Sequence, residues 1–482
     1  VTPLLLTGIA VYPFVAALTL LLWPVLRERL LPRLELTGGA DAKLLPVLLW
    51  IQCGLLVLGV VGLSVAARAQ RECTVHFPLL SAGGVPLGLG WRLNSLRLLW
   101  LQGTALLVAG SLPFVGRDMA AAKSLAASAQ TGSAVLVLVG VVFQVVLGEG
   151  VIHPVAAWLV VPLALSWLCG SITVGAPWAA LPEPGARGVL LATALAGLPL
   201  LLFVLLVCSR AGSAEGQTVY YSLASGASLT TQWLGLLVVA SILARTALLT
   251  VGSRPRAWAA RSSAWCACVE MLLPWSDLFV LVRYVPALLP VGTLRALADA
   301  QVVVGTAVCA AVALGVAATL KERRPGSPPV NVLALWGVVL VLAGGKSSLS
   351  WACAVGYVFN YCLLTMLAHG VQGEIAAKGR ALVQALSLAA VVGLPHCLSG
   401  QMAWWGAREL LAHSGWWALC LLLAALATLA WTHLAPRRQF SYASPAVPAL
   451  LWAAALAMGL AQEPVRHLLS AAFVDMGLTL RW

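Results

Sequence analysis

The chain has 482 residues, 61% of them hydrophobic and only 9% charged, with a mean hydropathy of +0.96. A soluble domain carries about a quarter charged residues, so a water-soluble globule of this make-up could not cover its own surface. The net charge of +13 would suit a nucleic-acid binder, but the Lys and Arg residues sit in short gaps between apolar runs, where they meet lipid head groups and fix topology. No nucleic-acid partner is expected.

A membrane span needs about 20 mainly apolar residues. Runs bounded by charge, Gly/Pro clusters or polar loops number fourteen, which predicts a single all-α polytopic membrane domain over residues 1–482. The first three runs are Thr2–Trp23, Leu45–Ala66 and Leu96–Val115, an N-terminal group over 1–115. Val1–Trp23 lacks a basic n-region and a separate cleavage site, so it is expected as a retained span. A cleaved organelle presequence is one explanation for a chain starting at Val1.

Five runs follow within 133–289: Ser133–Glu149, His153–Val174, Val189–Cys208, Trp233–Thr250 and Trp265–Leu289. Five more fall within 301–434: Gln301–Leu320, Val330–Gly344, Ser350–Val371, Ala381–Leu398 and Gly415–Leu434. The last, Ala446–Ala461, opens the tail 446–482. Loops after odd-numbered runs hold 17 basic residues, and loops after even-numbered runs with the tail hold ten, Arg97 among them. That asymmetry places the odd-numbered loops on the cytoplasmic or matrix side and both termini on the other. Apart from Arg97 at the very start of the third run, only Arg245 and Arg283 lie inside runs.

Some runs are interrupted. The twelfth holds Gly393-Leu394-Pro395, the eighth holds Pro274, and the seventh runs into Gly252 and Pro255. Breaks within a bilayer are tolerated where they face protein or a hydrated path, as in transporters; a plain kink is the competing reading.

Motifs for hydrolases, zinc sites and dinucleotide binding are absent. The eleven cysteines are scattered, and the pair Cys266-Ala-Cys268 lacks metal-ligand spacing, so core thiols and no metal are expected. Gly344-Gly345-Lys346-Ser347 resembles the end of a phosphate loop, but Leu340 stands where that loop needs Gly, which leaves a polar turn between spans.

Ionisable groups within spans are the informative class, because each costs about 2.5–3.5 kcal/mol even on the lenient insertion scale. Arg245 lies in the seventh run. Glu270 and Asp277 in the eighth are seven residues apart, nearly one face of an unbroken helix. Together they form either an intramembrane polar lane for protons or structural ion pairs. His369 in the eleventh run and His396 beside the twelfth-run break are further proton-path candidates, since His titrates near neutrality.

Fourteen runs with breaks in the seventh and twelfth resemble the antiporter-like subunits of respiratory complex I, the proton-pumping NADH:ubiquinone oxidoreductase. The stretch Ala385–Gly400 (ALSLAAVVGLPHCLSG) is similar to that family's Ser-Leu-Ala-Gly-Leu-Pro-Pro-Leu-Ala-Gly-Phe signature. Ser350–Leu367 (SWACAVGYVFNYCLLTML) and Met458–Pro464 (MGLAQEP) resemble subunit 2 in particular. The resemblance implies two inverted five-helix repeats, about runs four to eight and nine to thirteen. It also implies no cofactor in this chain, with flavin, iron–sulfur clusters and ubiquinone in partner subunits. The implied partners are other membrane-arm subunits and lipids, cardiolipin among them, and the implied location is the mitochondrial or a bacterial inner membrane.

The sequence departs from that family at its pumping residues. The fifth-run stretch His153–Trp167 has no acid where the family carries Glu. Arg245 falls at the seventh-helix Lys, Pro274 flanked by Glu270 and Asp277 near the eighth-helix Lys, and Trp404 near the twelfth-helix Lys. The expected protein is therefore a subunit 2-like chain with a degraded proton path and a largely structural role. Competing readings are a subunit of a cation/proton antiporter, a membrane hydrogenase or an inorganic-carbon uptake system, or an independent secondary transporter.

Overall fold

A computed structural model describes residues 2–30, 38–67, 72–82, 85–122, 124–174, 184–225, 229–251, 262–289, 291–321, 331–370 and 397–434. Helices dominate them: α1 (Thr2–Leu30), α2 (Gly38–Ala67), α3 (Ser95–Ala120), α4 (Leu125–Leu147), α5 (Ile152–Val174), α6 (Pro184–Leu195), α7 (Leu198–Ala211), α8 (Gly216–Ser225) and α9 (Leu229–Val251). There follow α10 (Ser263–Ala267), a π-helical turn (Cys268–Leu272), α11 (Leu273–Tyr284), α12 (Val291–Lys321), α13 (Asn331–Ala343), α14 (Ser348–Gly370), α15 (Leu398–Ser414) and α16 (Trp416–Leu434). Among the described residues, eight helical stretches are long and apolar enough to cross a membrane. The chain is an integral membrane protein with a polytopic helical fold.

Eleven expected runs coincide with helices, and the sixth, Val189–Cys208, does so with a break. Pro199 has no N–H to donate, and its ring would strike the carbonyl of Leu195. The helix therefore stops at Leu195 and restarts at Leu198, with Pro in the new first turn. The twelfth and fourteenth runs, with Gly393, Pro395 and His396, lie outside the described residues, as do Gly252 and Pro255.

The chain forms two compact units, Val1–Leu195 with Ala257–Leu272, and Ala196–Arg256 with Leu273–Trp482. In the first unit α4 is the central helix, packed on α1, α3 and α5. Phe14 of α1 lies on Gly140, where a Cβ would meet its ring. Polar side chains tie the pair: Ser133 Oγ donates to Ala17 O at 2.8 Å and Gln144 Nε2 to Ala10 O at 2.8 Å. Such interhelical bonds compensate polar groups that lipid cannot hydrate.

Three elements were not expected: the short helix α8, the 17-residue helix α15 and a β-hairpin. Cys73–Ala82 (β1) and Val85–Leu93 (β2) pair as an antiparallel hairpin, with His76 opposite Gly90 and a register shift between Pro78 and Leu80. The hairpin docks on the turn between α4 and α5. Trp91 Nε1 donates to Gln144 Oε1 at 2.7 Å, and Glu149 N donates to Gly90 O at 2.8 Å. His76 Nδ1 lies 3.4 Å from Glu149 Oε2. A Cβ at Gly90 would meet the Glu149 carboxylate and come within 3.0 Å of the Glu149 Cβ, so the close seat favours glycine here.

Arg97, counted above among the loop charges, lies in the first turn of α3 and is buried. Its guanidinium donates to Arg92 O at 2.6 Å and Leu147 O at 3.0 Å, so it closes the C-terminal end of α4. Helix ends leave carbonyls without intrahelical donors, and a cation there also complements the helix dipole.

In the second unit α13 is only 13 residues long, roughly 20 Å, which is short of a 30 Å hydrocarbon core. Every one of its residues is buried, enclosed by α12, α14 and α16. A short helix is tolerated at this depth because protein, not lipid, surrounds its ends.

Gly90→Val should overpack the hairpin seat at a cost of about 1–3 kcal/mol. Limited proteolysis of the purified chain should then show faster cleavage within 72–93; an unchanged digestion pattern would contradict the close fit between Gly90 and Glu149.

Candidate functional site

The seventh span, α9, carries a polar stripe. Ser241 and Arg245 are four residues apart and share a helix face. Ser241 Oγ donates to Ala196 O at 2.8 Å and accepts from Leu200 N at 2.8 Å. One hydroxyl thus satisfies both the carbonyl and the N–H left open at the break before α7.

One turn further on, Arg245 is fully buried and forms an ion pair with Asp277 of α11, itself 2% exposed. Two charges taken out of water are tolerated when they neutralise each other. Aromatic contacts flank the pair on α11: Trp275 stacks at a tilt on Phe359, centroids 5.1 Å apart, and Tyr284 meets Phe203 edge-on at 5.8 Å. Arg283 is only half-buried, with its guanidinium carbon 5.9 Å from the Phe279 ring centroid.

Glu270 lies within the π turn and is buried in the first unit. Pro274 explains the turn, since the carbonyl of Glu270, four residues earlier, can receive no N–H from proline. Widening to i→i+5 bonding absorbs the mismatch, and such π turns recur at functional sites. The extra residue also changes the helix phase, so the seven-residue spacing of Glu270 and Asp277 does not act as it would in an unbroken α-helix.

The helix that bears Glu270 is anchored by an aspartate that sequence reasoning passed over. Asp118, at the end of α3, accepts from Ser262 Oγ at 2.6 Å and Ala264 N at 2.8 Å. Ser262 in turn caps Trp265 N at 3.0 Å. Asp118 stands beside Arg117 just past the third run and Ser262 lies 144 positions on, so nothing local in the sequence paired them.

His369 falls in α14, but its side chain lies outside the described residues. Of the proton-path candidates, Arg245 and Asp277 are brought into contact. The second unit adds buried neutral polar groups that were also missed: Asn331 bonds Tyr361, and Asn360 Nδ2 donates to Ser399 Oγ at 2.8 Å. Asparagine inside an apolar run was the signal here.

No protein-family model matches the chain, and no curated protein matches it. Solved structures do. A chain of the membrane-bound sulfane sulfur reductase, an archaeal respiratory membrane complex, superposes with a TM-score of 0.67 at 13% identity, covering 98% of both chains. A chain of the Mrp complex from Dietzia sp. DQ12-45-1b gives 0.70 at 16% identity, over 98% of this chain and 52% of that one. A chain of respiratory complex I from Thermus thermophilus gives 0.63 at 16% identity, over 99% and 100%. The fold is shared with chains of all three membrane complexes.

Removing either member of the buried pair, Arg245→Ala or Asp277→Ala, should cost about 3–5 kcal/mol, whereas the double change Arg245→Met/Asp277→Leu should be close to neutral. Thermal unfolding of the purified chain in mild detergent checks this, and equal losses in single and double variants would contradict it. Ser241→Ala should lower stability by about 1–3 kcal/mol in the same assay, because it strands two backbone groups.

Proposed function

We propose that this chain is an antiporter-like membrane-arm subunit of a proton-translocating NADH:ubiquinone oxidoreductase, of the subunit 2 kind, whose own proton path is degraded and whose role is largely structural. The observation that carries the reading is the buried Arg245–Asp277 pair. Arginine stays charged throughout the physiological pH range, so at this position it holds α9 to α11 and does not exchange protons as a lysine could. The fold shared with a complex I chain supports the assignment to such a complex. Flavin, iron–sulfur clusters and ubiquinone would reside in partner subunits, with neighbouring membrane-arm subunits and lipids, cardiolipin included, around this one. The inner mitochondrial membrane is the proposed location, with a bacterial inner membrane as the alternative.

A second reading is favoured by the likeness to the Mrp complex and the sulfane sulfur reductase chains: the same scaffold serving an antiporter or another respiratory complex.

Gentle-detergent purification through a tag on this chain should yield a complex with flavin and iron–sulfur absorbance and NADH:ubiquinone activity. Partners without NADH-oxidising cofactors would move the assignment to the second reading. The isolated chain in proteoliposomes should be inert in proton-flux assays; robust flux would overturn both readings in favour of an independent transporter.

A further inference from the structure

Between the Thr2 half of α1 and the Ala67 half of α2, both in the first unit, runs a groove of about 390 Å³. Gly8, Ile9 and Tyr12 of α1 form one wall, and Leu56 and Gly59 of α2 form the other. Two glycines make the space. A Cβ on Gly8 would meet nothing within 4 Å, and one on Gly59 would only touch the Ile9 side chain at 3.4 Å. Close-packed proteins leave few voids this large, so the groove calls for an occupant.

Its depth follows from helix geometry. From Leu4 to Tyr12 the groove spans roughly 12 Å of helix rise. The inner end is shut by Tyr12, whose hydroxyl donates to the Gln52 side chain, while Gln52 Nε2 donates to Thr19 Oγ1 at 3.4 Å. Tyr12 lies inside the span Thr2–Arg27, roughly 15 Å from the Thr2 end, which is half of a hydrocarbon core of about 30 Å. The groove is one leaflet deep.

The mouth lies on the bilayer-facing surface. Leu4 is 81% and Leu55 51% exposed, and Val11, Ile51 and Leu58 on the same two helices are exposed as well. The groove is therefore continuous with the belt that an integral membrane chain presents to hydrocarbon.

Size and chemistry select among occupants. A helix is about 10–12 Å across with its side chains, so about 12 Å of one would fill on the order of 1,000 Å³, far more than the groove holds. Water stays out of apolar cavities, and the Tyr12 hydroxyl is already engaged with Gln52. A slender apolar chain fits both limits. Such a chain gains no hydrophobic energy on leaving lipid, so its retention comes from dispersion contacts along walls that would otherwise face a void.

We propose that one acyl chain of a phospholipid occupies this groove as a resident wedge between α1 and α2, its carboxyl end at Leu4 and its terminal methyl near Tyr12 and Leu55. The head group then lies beside the Thr2 end of α1. The proposal goes beyond the functional reading above and holds whichever complex the chain joins.

The test is photolabelling of the full chain in phosphatidylcholine nanodiscs that carry a small fraction of phosphatidylcholine with a diazirine at the end of one acyl chain. Peptide mass spectrometry reads the site. Tyr12, Leu55 and Leu56 should be labelled several-fold more than Leu202, Leu205 and Leu206, which are exposed at mid-length of the span Leu191–Ala211. Moving the diazirine next to the carboxyl group should shift the label to Leu4 and Leu5. Gly8→Phe should bring the excess down to the level of Leu202, whereas Gly54→Phe, equally unobstructed but off the groove, should leave it unchanged. Equal labelling of the groove and Leu202 in the wild-type chain would overturn the proposal without any variant, and so would an excess that survives Gly8→Phe. Displacement of the label by added ubiquinone would overturn it in favour of an isoprenoid tail. Label present on the isolated chain but lost in its assembled complex would overturn it in favour of a partner segment.

Discussion

A carbonyl or N–H left without a partner at membrane depth costs several kcal/mol, and the architecture of this chain follows from meeting that demand with side chains. Where Pro199 interrupts the sixth span, Ser241 closes the gap by donating to Ala196 O and accepting from Leu200 N. Where Pro274 removes a donor in the eighth, the backbone widens into a π turn. Where α4 ends, Arg97 reaches its last carbonyl, and where α10 begins, Asp118 takes the N–H of its second residue, Ala264. Apart from the local π turn, each repair uses a residue remote in sequence, so it also fixes one helix against another.

The same demand governs the charges. Arg97 and Asp118 are held at helix ends, where a charge also meets the favourable end of the helix dipole. Arg245 and Asp277 have no such location and are held by each other. A buried pair of this kind adds little net stability but is costly to break, which makes it a specifying contact between α9 and α11. Ser241 and Arg245 share one face of α9, so that single helix both seals the break and supplies the cation.

Most of the helical layout was legible in the sequence because apolar runs of span length have few alternatives in a bilayer. Length and hydropathy sufficed for α1 to α5, α9, α12 and α16. The hairpin at 73–93 was not legible: its strands mix Pro, Gly and His, and it exists because Gly90, Trp91 and Glu149 meet on the α4–α5 turn. Arg245, Glu270 and Asp277 stood out as ionisable residues in apolar surroundings. That Arg245 pairs with Asp277 did not, since the two are 32 positions apart and belong to different spans. Asn360 and Ser399 escaped notice for another reason: neutral amides and hydroxyls carry no charge to flag them, although an unpaired one still costs several kcal/mol in hydrocarbon.

Composition alone determined that the chain lives in a membrane, because 9% charged residues cannot clothe a soluble globule of this length. The same scarcity narrowed the interior chemistry to a handful of groups. Tertiary structure decided what those groups do. Partnering depends on which helix faces lie together, and helix faces in this chain are reset by the break at Leu195–Leu198 and the π turn at Cys268–Leu272. Periodicity cannot count through either interruption, so only the folded chain shows Arg245 held by Asp277 and Asn360 turned to the buried start of α15.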